Sequence, residues 1–200
     1  MTEKYKSLYF LPNNLYSEGS PVVIAAGELV LDQETRHVLA RLRLKNISGR
    51  VIRGVKVILF PLDRANRPLG DVVKVEYDDL SAGRDAEFGQ EKIISLPMAK
   101  TRAFTAEVFQ VAFKDRGIWV PDVKNWRPLP VPEEIKDLGQ LKQVQARFGK
   151  RARYLTAAAA GLWFCACGCL NREEEAACHS CGAKHADLIS EFRPEGREQP

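Results

Sequence analysis

All five cysteines of this 200-residue chain lie between positions 161 and 182, in the segment GLWFCACGCLNREEEAACHSCG. They include two closely spaced pairs, Cys165-x-Cys167 and Cys178-x-x-Cys181. Two such pairs separated by a loop can place four thiolates around one point, as tetrahedral zinc requires. A disulfide framework explains the pattern less well, because the cysteine count is odd and the N-terminus does not resemble an export signal.

Four thiolates fill a tetrahedron and leave no position for water or substrate. We therefore predict a closed, structural Zn²⁺ site whose ligands are Cys165, Cys167, Cys178 and Cys181. This assignment leaves Cys169 over, and it places His179 inside the second pair and His185 just beyond it. Cys169 or a histidine is an alternative ligand, but we interpret Cys169 as a spare thiol and His179 as a solvated side chain.

The spacing of Trp163, the two cysteine pairs and Asn171 resembles the small zinc finger named after a Ran-binding nucleoporin. The first pair has one intervening residue where that family has two or more. The version WxCxCGxxN…CxxCG is also similar to zinc ribbons of uncharacterised bacterial proteins, in which the ribbon follows a β-rich domain and a basic helical segment. The resemblance implies a zinc ribbon at 161–186 and no particular activity. The family's ubiquitin-binding and RNA-binding residues are not matched, since Gly168-Cys169 and the glutamates of 172–177 stand in their places.

The long segment before the cysteines has the alternation of β-strands. Val38, Ala40, Leu42 and Leu44 alternate with more polar neighbours, as in a half-buried strand. Such patterns predict strands at 22–31, 38–45, 55–59, 71–77, 87–96, 101–114 and 117–121. Short strands with turns between them and no intervening helix predict a mainly β fold, an immunoglobulin-like antiparallel β-sandwich over residues 1–126. A closed barrel is the alternative.

Residues 127–160 are predicted to form a proline-rich linker and a basic amphipathic helix. Glu133 and Glu134 would begin the helix, and Gly149 would end it. The apolar residues at helical spacing are Ile135, Leu138, Leu141, Val144 and Phe148. We expect this face to pack on a neighbouring domain or a second helix. Residues 187–200 are predicted to be a polar tail.

The composition and motifs favour a binding protein over an enzyme. A net charge of +4 is too small to indicate nucleic-acid binding by itself. The sequence has no phosphate-binding loop and no nucleophile elbow, and it shows no transmembrane segment. We predict a non-enzymatic, cytoplasmic interaction or scaffold protein whose partner is another protein. The alternatives are weak nucleic-acid binding through the basic run at 142–153 plus the ribbon, and an enzyme with its site in the sandwich loops.

Overall fold

The computed structural model describes residues 4–122 and 125–192. The chain divides into two compact units, the first extending to Leu129 and the second beginning at Pro130. The strands of the first unit are β1 (Tyr5–Phe10), β2 (Leu15–Tyr16), β3 (Val22–Asp32), β4 (Val38–Asn46), β5 (Ile52–Leu62), β6 (Val73–Tyr77), β7 (Glu87–Phe88), β8 (Ile94–Leu96), β9 (Ala103–Phe113), β10 (Ile118–Trp119) and β11 (Arg127–Pro128).

Within residues 4–122 and 125–129 these strands form two antiparallel sheets. One has the order β11-β2-β3-β4-β7, with β1 paired to β3 and β8 paired to β4. The other has the order β10-β9-β5-β6. Long hydrogen-bonded pairs lie at the centre of each sheet, β3 with β4 in the first and β5 with β9 in the second.

A single hydrophobic core joins the two sheets. Leu29 and Leu42 from one sheet and Val57 and Val108 from the other are almost fully buried in the same cluster. Along β4 the buried positions alternate with more exposed ones, since successive side chains of a strand point to opposite faces. The prediction of a mainly β, sandwich-like fold is confirmed, and the two separately paired sheets favour the sandwich over a closed barrel.

The second unit contains a small sheet and two helices within residues 130–192. Its elements are α1 (Leu138–Phe148), β12 (Ala157–Ala159), β13 (Leu162–Phe164), β14 (Leu170–Arg172) and α2 (His185–Glu191). The sheet is antiparallel, with β13 in the middle. Val144 of α1 is buried in one cluster with Trp163 and two of the cysteines, and Leu141 and Phe148 pack against that cluster. The apolar face of α1 therefore packs within this unit, except for Leu138, which is exposed.

The two ends of this unit differ from the sequence predictions. Helix α1 begins at Leu138 and not at Glu133, because Asp137 caps it and residues 133–135 instead pair with residues 153–155 through backbone hydrogen bonds. Residues 187–191, predicted as the start of a polar tail, belong to α2. Leu188 of this helix is fully buried. Its burial stabilises a helix in a segment whose polar composition had predicted an unstructured tail. Residues 193–200 of the predicted tail lie outside the described residues.

Candidate metal centre

The structure brings together the four cysteines that were predicted to hold a metal. The sulfur atoms of Cys165, Cys167, Cys178 and Cys181 all lie within 4.8 Å of one another. The Sγ–Sγ distance is 3.4 Å between Cys165 and Cys181 and 3.7 Å between Cys167 and Cys178. These distances are far longer than the ~2.05 Å of a disulfide bond. The four side chains are positioned to hold a metal ion.

Two tight backbone turns present the cysteines. The first connects β13 to β14, where the Cys165 N–H donates to the Cys169 carbonyl at 2.9 Å and the Gly168 N–H donates to the Cys165 carbonyl at 2.8 Å. The second precedes α2, where the Gly182 N–H donates to the Cys178 carbonyl at 2.8 Å. Gly168 has a φ of 85°, and a Cβ there would lie 2.9 Å from the Tyr154 ring, so this turn requires glycine.

The thiols of the cluster differ in their acidity. Burial raises the pKa of Cys165 far above its usual range and raises the pKa of Cys167 to about 11. Burial also acts to raise the pKa of Cys178, but hydrogen bonds from the backbone N–H groups of Cys181 and Ser180, together with those of neighbouring thiols, outweigh burial and lower that pKa to about 7. Four thiolates in this space therefore require a cation among them, since each further negative charge opposes the ionisation of the next.

The chain that follows α1 holds both turns in place. The Arg153 and Tyr154 N–H groups donate to the Ala166 carbonyl, inside the first turn, at 2.8 and 3.0 Å. The Arg151 guanidinium donates to the Ser180 carbonyl, inside the second turn, at 2.9 Å. Part of the basic run at 142–153 thus supports the cysteine cluster, a role that sequence reasoning missed because it depends on contacts between distant residues.

Trp163 packs beside the cluster, as we expected from its position before the first pair. The indole is fully buried, its N–H donates to the Glu175 carbonyl at 3.1 Å, and its ring stacks on His185 with 4.3 Å between centroids. Partial burial of the imidazole lowers the pKa of His185, while the negative charge of Glu173 acts to raise that pKa. His185 therefore packs against the indole, and it is not part of the four-sulfur cluster.

The remaining cysteine is in contact with a histidine. Cys169 Sγ lies 3.2 Å from His179 Nε2, and His179 Nδ1 lies 2.8 Å from Asn171 Oδ1. The expectation of a spare thiol and a solvated histidine is therefore incomplete: His179 is exposed, but its ring lies in a chain of polar contacts. The sequence signal for this arrangement was Asn171 itself, a polar residue of the resemblance that is almost fully buried.

No protein-family model, no curated protein and no solved structure matches this chain. The resemblance to the nucleoporin-type finger and to bacterial zinc ribbons therefore stays a prediction, and what the geometry supports is a four-cysteine cluster able to hold a metal ion. Neither helix within residues 4–122 and 125–192 has the length and apolar character that a bilayer span requires.

Proposed function

We propose that the protein is a non-enzymatic interaction or scaffold protein of the cytoplasm, with a closed structural zinc site made of four cysteines. The observation that carries the proposal is the convergence of four cysteine sulfurs at the hydrophobic core of the second unit, two of them buried in it and two packed against it. A metal held there has four protein ligands and no vacant position, and a catalytic zinc needs at least one. The metal then stabilises the fold of this unit.

Zinc fits the donor set and its dimensions. Thiolates favour zinc among the abundant divalent ions, and sulfurs ~2.3 Å from a tetrahedral zinc lie ~3.8 Å apart. The 3.4 and 3.7 Å sulfur separations are close to that value. In a reducing compartment zinc also has the advantage that it needs no redox chemistry to remain bound.

Metal content tests this site directly. We expect the purified protein to contain about one zinc per chain, measured by inductively coupled plasma mass spectrometry. Cys178→Ser should lose the metal and unfold the second unit, because a cysteine thiolate in the core is removed from the tetrahedron. Cys169→Ser is the matched control and should keep the zinc. Loss of zinc from Cys169→Ser would show that the four ligands are wrongly assigned.

The surface of the sandwich supports a protein partner. Ile118, in the outer strand β10 of the four-stranded sheet, is 63% exposed, and Val120, just after this strand, is 57% exposed. An outer strand presents backbone groups to solvent, and apolar side chains beside them are typical of surfaces that another protein covers. This support is independent of the cysteine cluster.

Co-purification from native cells tests the partner. We expect a protein to be retained by the wild-type chain and lost from the double variant Ile118→Lys, Val120→Lys, because two charges would oppose burial of this edge. Thr105→Lys is the control, since it adds a charge at an exposed position of β9 in the same sheet. If the wild type, the double variant and Thr105→Lys retained the partner equally, the edge at β10 would not be the surface that binds it.

The basic run at 142–153 gives the nucleic-acid alternative less support than its charge alone indicated. Arg147 is paired with Glu191, and Arg151 is bound to the second cysteine turn, so two of its charges have partners within the unit. Lys142, Lys150 and Arg153 are exposed. If the alternative holds, RNA or DNA should bind with an affinity that falls steeply as salt is raised. Fluorescence anisotropy at two salt concentrations makes that measurement.

A further inference from the structure

Next to the four-cysteine cluster, the sulfur of Cys169 lies close to a ring nitrogen of His179. Cys169 Sγ is 3.2 Å from His179 Nε2, compared with 4.0 Å from His179 Nδ1, so Nε2 is the nitrogen that faces the sulfur. Cys169 is half-buried and His179 is exposed. Thiolate sulfur and imidazole nitrogen are the two donors that borderline divalent metals prefer in proteins.

The orientation of the imidazole is fixed by Asn171. The Asn171 Nδ2 group donates to the Cys169 carbonyl at 3.2 Å, and its Oδ1 accepts from the His179 backbone N–H at 3.1 Å. These two bonds establish which end of the amide is oxygen. That oxygen lies 2.8 Å from His179 Nδ1, so Nδ1 carries the proton and Nε2, the nitrogen nearer to Cys169 Sγ, keeps its lone pair for a metal. A metal-binding histidine is commonly held in this way, through a hydrogen bond from its other ring nitrogen.

We propose that Cys169 and His179 form a second metal site, which takes a borderline divalent cation such as Zn²⁺ or Co²⁺. In a tetrahedral site with metal–sulfur and metal–nitrogen bonds of ~2.3 and ~2.05 Å, the two donor atoms are ~3.5 Å apart, which is close to the 3.2 Å separation. A shared ion also requires the Cys169 side chain to rotate towards the lone-pair axis of Nε2, because Sγ lies only 4.0 Å from Nδ1. The ion takes the place of the thiol proton, which passes to solvent as the metal–sulfur bond forms.

This second site differs from the cluster in ligand number. Cys169 and His179 contribute two donors from the second unit, and other donors complete the coordination, so the ion exchanges more readily than one held by four thiolates. The proposal rests on the closed zinc site in one respect: His179 lies between Cys178 and Cys181, so the turn that positions it is the turn that the zinc organises. The two sites can nevertheless be tested separately.

Cobalt added to the zinc-loaded protein tests the second site. The full chain is prepared with about one zinc, and Co²⁺ is then titrated in under anaerobic conditions while the visible and near-ultraviolet spectrum is recorded. We expect a thiolate-to-cobalt charge-transfer band that saturates at one added equivalent, with zinc retained by the protein. The band should be weaker than that of the four-thiolate cobalt form, which is prepared separately from metal-free protein, because one sulfur contributes and not four.

Variants identify the ligands of that band. Cys169→Ser should abolish it, and His179→Gln should weaken cobalt binding at least several-fold, while both keep their zinc. His37→Gln, which removes an exposed histidine of the first unit, should leave the titration unchanged. If zinc-loaded Cys169→Ser shows the same band as the wild type, or if the wild type shows none, the second site is ruled out. Failure of the closed site is distinguishable, because the protein would then contain no zinc before cobalt is added.

Discussion

Arg50 and Asp115 form a bidentate ion pair at the surface of the sandwich. Arg50 Nε is 2.8 Å from Asp115 Oδ2, and Arg50 Nη2 is 2.6 Å from Asp115 Oδ1. The guanidinium also lies over the Phe113 ring, 3.7 Å from its centroid. It fits here because residue 117 is glycine, since a Cβ there would lie 1.8 Å from Arg50 Nη2. Its hydrogen bonds to Asp115 are the main reason that the pKa of this carboxyl falls from 3.8 to about 2.

The pKa of the Asp115 carboxyl gives a prediction for this ion pair. In Arg50→Gln the pKa of Asp115 should return towards 3.8, as measured by NMR titration of the side-chain carboxyl. Because the folded-state pKa is the lower one, the pair contributes its full stability above 3.8 and loses it as the pH falls towards about 2. The stability difference between wild type and variant should therefore shrink over that range. Arg116→Gln, which removes a neighbouring charge, is the control, and an unchanged Asp115 pKa in Arg50→Gln would contradict the assignment.

At the scale of single residues, the sequence predicted the cysteine cluster better than its surroundings. The cluster was predictable because ligand spacing within each turn is a local property. The contact between Cys169 and His179 was not, because it joins residues on different turns and forms only when both turns fold. The role of Arg151 was hidden for the same reason: its partner Ser180 is far along the chain, and a basic run has no periodicity that indicates which charges are used.

Helix α1 is held to the second unit chiefly by its buried face. Val144 is fully buried in the cluster that contains Trp163 and Cys165, whereas Leu138, at the start of the same helix, is 71% exposed. Asp137 caps the helix by accepting a hydrogen bond from the Gln140 N–H at 2.6 Å. The helix therefore has one strong packing contact that can be removed without touching a cysteine.

We expect Val144→Ala to lower the free energy of unfolding of the second unit by about 2 kcal/mol, because it leaves a cavity in the core that contains Trp163 and two of the cysteines. Leu138→Ala is the matched control on the same helix and should change that free energy by no more than about 0.5 kcal/mol. Chemical denaturation followed by release of the metal that we propose for the cysteine cluster reports this unit, whereas tryptophan fluorescence also reports Trp119 and Trp126 of the first unit. Equal effects of the two substitutions would show that the burial of Val144 does not stabilise the second unit more than the exposed Leu138 does.

Among the elements, the long strands were the most predictable. Strict alternation indicated β4, and the predicted strands at 22–31 and 101–114 match β3 and β9 within a residue or two at each end. The strand predicted at 87–96 is divided into β7 and β8, with Gly89 between them at a φ of 94°. The predicted start of α1 was wrong. Residues 133–135, before the helix, form backbone hydrogen bonds with residues 153–155, after it, and this pairing outweighs the preference of Glu133 and Glu134 for a helix N-terminus. Strands β12 to β14 have three residues each, too few for a periodic pattern.

At the scale of the whole molecule, each unit has a hydrophobic core of its own. The core of the first unit is shared between its two sheets, and the core of the second surrounds Trp163 and the cysteines. The first unit continues to Leu129, because β11 pairs with β2 and the Leu129 N–H donates to the Asn14 carbonyl at 2.9 Å. All four cysteines of the cluster belong to the second unit. Removal of the metal should therefore act on one core and leave the other intact.

The last prediction follows from this division. Differential scanning calorimetry of the full chain should show a transition of the second unit that disappears when a chelator removes the metal, because the free energy of metal binding is part of the folding free energy of a small metal-containing unit. The transition of the sandwich should be unchanged by the chelator. A fragment that ends at Leu129 should give a β-type circular dichroism spectrum and reproduce the chelator-insensitive transition. A single cooperative transition that shifts as a whole with chelator would show instead that the two cores unfold together.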